Sequence, residues 1–158
     1  SEPVEIYYRF GVKGDKKWFV RTDLRRQFLY PRFEDEKHVP PSVVWNRIGK
    51  KYLFRFVNEI VVIKHYRSGG ITNSWLDTMT ASPRGYRLQI QELLEREKDV
   101  SVPFLRRVSH WGQYWRFSLH ANAGLSGIVR DAPSPSTLFL PTAPIGLYRY
   151  IVDKIRGG

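Results

Sequence analysis

The stretch "SPRGYRLQIQELLEREK" at 82–98 constrains this chain more than any other, because the side-chain period changes there. Ser82 can cap a helix and Pro83 fits its first position. Tyr86, Ile90, Leu93 and Leu94, then Glu97, recur at helical spacing, and the Glu, Arg and Lys between them make a solvated face. The same change occurs once more near the end. Thr142 can cap, Pro144 lies in the first turn, and Ile145, Tyr148, Ile151, Val152 and Ile155 form a stripe. Gly157 stops it, with Lys154 and Arg156 at the negative end of the dipole. The spacing predicts helices over about 83–98 and from about 142 onward.

The remaining apolar runs are short, aromatic and β-branched, which reads as extended chain. Strands are expected at 4–12, 16–21, 27–33, 42–48, 50–57, 59–67 and 71–81, and again at 102–109, 112–121, 126–130 and 136–141. In "KKYLFRFV" the alternation is clear: Tyr52, Phe54 and Phe56 point one way, and Lys51, Leu53, Arg55 and Val57 the other. Pro31 suits an edge or a bulge, and "EDEKHVPP" and "DAPSPS" read as loops. The order is about four strands, a helix, about four strands, a helix. This predicts an α+β fold, ββββα-ββββα, with two antiparallel four-stranded sheets each followed by a helix. One domain is expected over 1–158, in halves of about 1–98 and 99–158.

Lys and Arg number 26 against 15 Asp and Glu, a formal charge of +11, while 42% of residues are hydrophobic. A folded, strongly basic domain points to a polyanion, most often nucleic acid. There is no cysteine, which excludes disulfides and thiolate metal sites. No run reaches the roughly 18 apolar residues of a membrane span, so no membrane partner is expected. No Gly-rich phosphate loop, Ser–His–Asp signature or metal-binding helix motif is visible, and His38, His65, His110 and His120 lack ligand spacing. Neither catalysis, a cofactor nor a metal is therefore expected.

Holding a single strand needs cations along its phosphates and, optionally, aromatic faces for its bases. Lys13, Lys16, Lys17, Arg21, Arg25 and Arg26 form the densest basic cluster, on the expected first hairpin. Lys51 and Arg55 share a strand face, and Lys64 extends that row if its strand pairs alongside. In "SHWGQYWRFSLHANA" (109–123), strand parity puts Trp111, Gln113, Trp115, Phe117 and Leu119 on one apolar face. Tyr114, Arg116, Ser118 and His120 take the other, so Tyr114, Arg116 and His120 join the candidate surface. A plain solvated sheet face explains Lys51, Arg55 and the Tyr114–His120 set equally well, whereas phosphate contact is the favoured reading of the hairpin cluster. Of the five tryptophans, at most two are expected to touch nucleic acid.

"FGVKGDKKWFVR" (10–21), "TMTASPRGYRLQIQEL" (78–93) and "GQYWRFSLHANA" with "STLFLPTAPIGLYRYIVDKIRGG" resemble, in topology and spacing, the first hairpin, the strand–helix junction and the closing strands and helix of Whirly proteins. The closest resemblance is to the kinetoplastid mitochondrial guide-RNA-binding branch. At the hairpin, Lys13-Gly14 is followed by Asp15-Lys16-Lys17, a departure from the plant pattern. The resemblance implies RNA lying across splayed sheets and annealing of guide RNA to messenger in mitochondrial RNA editing, with the targeting peptide removed. It also implies a heterotetramer with a related chain, joined through the helices at Tyr86, Ile90, Tyr148, Ile151 and Ile155. A plant-like single-stranded DNA-binding protein and a structural protein of a ribonucleoprotein particle are the alternatives.

Overall fold

The computed structural model describes every residue except 1, 64, 66–74, 134–135 and 158. Among the described residues there are eight helices and no strand. They are α1 (Pro3–Tyr8), α2 (Thr22–Arg25), α3 (Ser42–Gly49), α4 (Trp75–Thr80), α5 (Pro83–Arg96), α6 (Phe104–His120), α7 (Leu125–Arg130) and α8 (Ala143–Gly157). The expected α+β architecture, with its two four-stranded sheets, is therefore wrong, and the Whirly fold falls with it.

The two sequence-predicted helices are present as α5 and α8. Pro83 occupies the first position of α5 as expected, but the Ser82 side chain makes no capping bond. Instead the Glu36 carboxylate accepts from the backbone N–H of Arg84 (2.7 Å) and of Gly85 (2.8 Å). The Thr142 hydroxyl turns back from α8 and donates to the carbonyl of Leu138 at 2.8 Å.

Several expected strands are helices. Residues 4–12 fall largely within α1, whose start carries a capping box: Glu2 N–H donates to the Glu5 carboxylate at 2.9 Å, and Pro3 follows. Residues 42–48 are α3, 126–130 lie in α7, and the described part of 71–81 contains α4. The two strands expected at 102–109 and 112–121 merge into α6. Residues 16–21, 27–33, 136–141 and the described parts of 50–57 and 59–67 are turns or irregular chain.

The main core lies where α5, α6 and α7 meet. It contains Tyr86, Ile90 and Leu94 of α5, Trp111, Tyr114, Trp115 and Phe117 of α6, and Ile128 of α7. Phe139 closes one side: its ring stacks on Trp115 at 4.8 Å, and its carbonyl accepts from the Trp115 indole at 2.8 Å. Helix α8 crosses α6 where two glycines meet. A Cβ on Gly146 would collide with Trp115 Cβ and lie 2.8 Å from the Gly112 carbonyl and 3.0 Å from the Arg116 nitrogen. A smaller cluster joins α1 to α3 through the buried Val4, Ile6, Val43, Val44 and Ile48. Charged pairs tie this N-terminal part to the core: Arg47 to Glu92 (2.6 Å), Lys50 to Glu95 (3.6 Å) and Arg96 to Glu2.

A candidate nucleic-acid interface in the N-terminal third

Gly14 carries the tight turn at 12–16, with φ of 82° that side chains with a Cβ rarely adopt. The Lys16 ammonium closes the turn. It donates to the carbonyls of Val12 (3.1 Å), Lys13 (3.3 Å) and Gly14 (2.8 Å), and sits 4.4 Å from the centre of the Tyr7 ring. Lys16 is thus largely occupied by its own backbone, while Lys13 and Lys17 on either side are exposed. The expected hairpin is replaced by this turn and irregular chain leading to α2.

Just past the turn, Trp18 stacks on Trp45 of α3 at 6.2 Å and takes the edges of Phe54 (5.4 Å) and Phe56 (5.8 Å). Tyr7, Lys16, Lys17, Trp18, Ser42 and Trp45 line an open groove of about 380 Å³. Next to it runs a second set of cations and rings. Lys51 lies over Phe28 at 5.6 Å, and Phe28 meets Tyr52 edge-on at 6.4 Å. Arg25 lies over Tyr30 at 4.8 Å and donates to the Phe28 carbonyl. Segments distant in sequence (16–18, 25–30, 45 and 51–56) are therefore brought together by aromatic contacts, and all but Trp45 carry a cation.

Arg21 pairs with Asp23 at 2.7 Å, but an exposed pair of this kind contributes little and leaves the guanidinium available. Arg26 and Arg55 are exposed in the same region of sequence. Lys64 lies outside the described residues.

Tyr114, Arg116 and His120 do not belong to this surface. Tyr114 is fully buried and donates its hydroxyl to the Ile128 carbonyl at 2.8 Å. Arg116 grips Asp153 of α8 through two bonds, Nε–Oδ2 at 2.5 Å and Nη2–Oδ1 at 2.7 Å. His120 Nε2 lies 2.9 Å from the same carboxylate. The three were grouped by a period of two. In a helix, positions 111, 114, 115 and 118 share one side and 116 and 120 another, so these residues hold the core and the α6–α8 contact.

Burial alone would raise the Asp153 carboxyl, but the Arg116 and His120 bonds and charges outweigh it and leave it below the ordinary range. At His120, by contrast, burial dominates and lowers it, against the pull of Asp153. A neutral His120 then donates from Nε2–H to the carboxylate.

Two of the five expected interface residues, Tyr86 and Ile90, are buried within the core and cannot meet a partner chain. Tyr148, Ile151 and Ile155 are exposed on α8. Trp18 and Trp45 were among the five tryptophans of which at most two were expected to touch nucleic acid; the rings that the sequence did not single out are Tyr7, Phe28 and Tyr52. Their signal was available, since single-strand binding calls for rings beside cations, but assigning them to strand faces hid it.

No protein family, curated protein or solved structure matches the chain.

Proposed function

We propose that the protein is a non-catalytic binder of single-stranded nucleic acid, read as RNA, held across the cation–aromatic surface of its N-terminal third. The observation that carries this is the convergence of Lys16, Lys17 and Tyr7 on the Trp18–Trp45 stack, with Lys51, Arg25 and their rings alongside. Cations track the phosphates, and ring faces offer base stacking worth about 1–3 kcal/mol per base without sequence preference. Guide-RNA annealing was implied by a fold that is absent, so the reading narrows to strand binding.

The test is fluorescence anisotropy with an unstructured oligoribonucleotide and the DNA oligomer of the same sequence, titrated across salt. Affinity should fall steeply with salt, by about 0.7 in the log–log slope per phosphate contact. Lys17→Ala with Lys51→Ala should lower affinity about tenfold or more and flatten that slope by 1–2 contacts' worth. Lys16 is left alone because it closes the turn. Affinity independent of salt, or a double variant equal to the parent, would overturn the reading. Tighter binding of the RNA oligomer would identify the 2′-hydroxyl as a contact.

A second reading, a structural component of a ribonucleoprotein particle, is favoured by the large apolar side chains exposed between residues 19 and 63. Phe19, Leu29, Leu53, Ile60 and Ile63 are each more than two-thirds exposed. An isolated domain rarely leaves so much apolar surface uncovered. Sedimentation of the native protein separates the two: a free species of monomer size supports strand binding alone, and quantitative recovery in a large RNA-containing particle supports the second.

A further inference from the structure

Of the apolar stripe of α8, Tyr148, Ile151 and Ile155, which the family resemblance assigned to a joint between chains, are exposed, while Ile145 and Val152 are half-buried. Helix α8 meets α6 through Gly146 and Asp153, both buried, and through Tyr150, whose ring lies 4.7 Å from that of His120. At about 100° per residue, Lys154, Leu147, Ile151, Ile155 and Tyr148 follow one another around the opposite side, and the half-buried Val152 and Ile145 come next, before Arg156. Leu147, Tyr148, Ile151 and Ile155 are 48%, 69%, 47% and 75% exposed. With Val152 and Ile145 they make one continuous apolar face with a cation at each edge.

The last third of the sequence is strongly basic, although α4, which also packs against α8, carries the exposed Asp77. Residues 101–158 contain two carboxylates, Asp131 and Asp153. Asp153 is held by Arg116 and His120, and Asp131 pairs with Arg87 and Arg130.

We propose that the outer face of α8 docks on an anionic lipid surface. Leu147, Ile151 and Ile155 enter the boundary between headgroups and acyl chains, Tyr148 sits at headgroup level, and Lys154 and Arg156 meet the lipid phosphates. A second copy of the chain fits less well. It would set Lys154 and Arg156 against their own like-charged mates. Four side chains at these exposures offer on the order of 500 Å², short of the roughly 800 Å² that each partner contributes to a standard interface. A lipid surface supplies apolar depth and negative charge together. Helix α8 lies along such a surface, since among the described residues no helix is long and apolar enough to cross a membrane.

The experiment is flotation of the full chain with vesicles of neutral phosphatidylcholine, or of phosphatidylcholine with about 30 mol % phosphatidylserine. The protein should float with the anionic vesicles only. Ile151→Asp with Ile155→Asp should abolish flotation, and Lys154→Glu with Arg156→Glu should weaken it about tenfold or more. Both variants should keep the parent's helical circular dichroism, since all four substituted side chains are exposed. The Lys17→Ala, Lys51→Ala protein should float like the parent, which separates this surface from the nucleic-acid groove. Three outcomes would overturn the proposal. One is no flotation. Another is flotation that survives the double Asp substitution, which would mean adsorption by net charge alone. The third is a parent protein that sediments as a dimer and becomes monomeric on Ile151→Asp, which would make a second copy the occupant.

Discussion

Gly146 shows how one residue sets the contact of two helices. In an exposed helix a glycine costs up to about 1 kcal/mol relative to alanine, so Gly146→Ala should stabilise if propensity decided the matter. The added Cβ instead meets Trp115 and the backbone of Gly112 and Arg116. Backbone cannot swing aside as a flexible side chain does, and overpacking of this kind costs about 1–3 kcal/mol. We expect Gly146→Ala to lower the midpoint of thermal unfolding by several degrees, while Gly157→Ala, which meets nothing within 4 Å, leaves it unchanged. Calorimetry of the two variants is the check. The sequence displayed both glycines of the crossing, but it gave no reason to pair Gly112 with Gly146. Gly112 read as the start of a strand, when its role is to let α8 approach.

At the scale of elements, legibility followed the competition between periods. α5 and α8 were legible because their apolar residues fit 3.6 and because Pro, Gly and end charges marked their limits. α6 was not, because "HWGQYWRFSLH" satisfies both periods and its aromatic content favours the strand. Burial decides for the helix: Trp111, Tyr114, Trp115 and Ser118 are all enclosed. α1 is too short for a period to show, although Pro3 and Glu5 announced it.

The α6–α8 contact also carries a pH dependence. His120 is held below its ordinary 6.5 and Asp153 below its ordinary 3.8. Each therefore binds its proton more tightly in the unfolded chain, so stability is full above both ordinary values and falls as pH drops. The melting temperature should hold steady above neutrality, begin to fall through the histidine range, and fall again in the carboxylate range. His120→Gln should remove the first decline and leave the second. A melting temperature that rises on acidification would contradict this arrangement. Asp153→Asn, which strands the buried Arg116, should cost far more than either decline, about 3–5 kcal/mol.

For the whole molecule, net charge was legible in the composition and the arrangement of its bearers was not. Net charge and the Lys13–Lys17 cluster pointed to a polyanion without any fold. Which rings accompany those cations depends on contacts between residues tens of positions apart, and no local pattern encodes them. The uneven covering of apolar groups has a consequence for stability. Residues 57–63 are exposed throughout, whereas α5, α6 and α8 share the enclosed core. Limited proteolysis should cut first near 57–63, leaving a resistant fragment that includes α5 to α8. Equal rates of cutting within α5 or α6 would show that the core is no more stable than the rest. Excess oligoribonucleotide should slow cleavage around residues 16–30 if the strand lies where proposed.

Glu36 has a bearing on selectivity as well as on capping. The positive end of a helix is a ready seat for a phosphate, with amide hydrogens fixed in place. At α5 that seat is already taken by the protein's own carboxylate. Long, rotatable side chains are left to hold a polyanion, and they follow charge density more than the shape of any one anion. Heparin and other sulfated polymers should therefore compete with nucleic acid on nearly equal terms, and a purification on such a matrix would retain the protein without reporting what it binds in the cell.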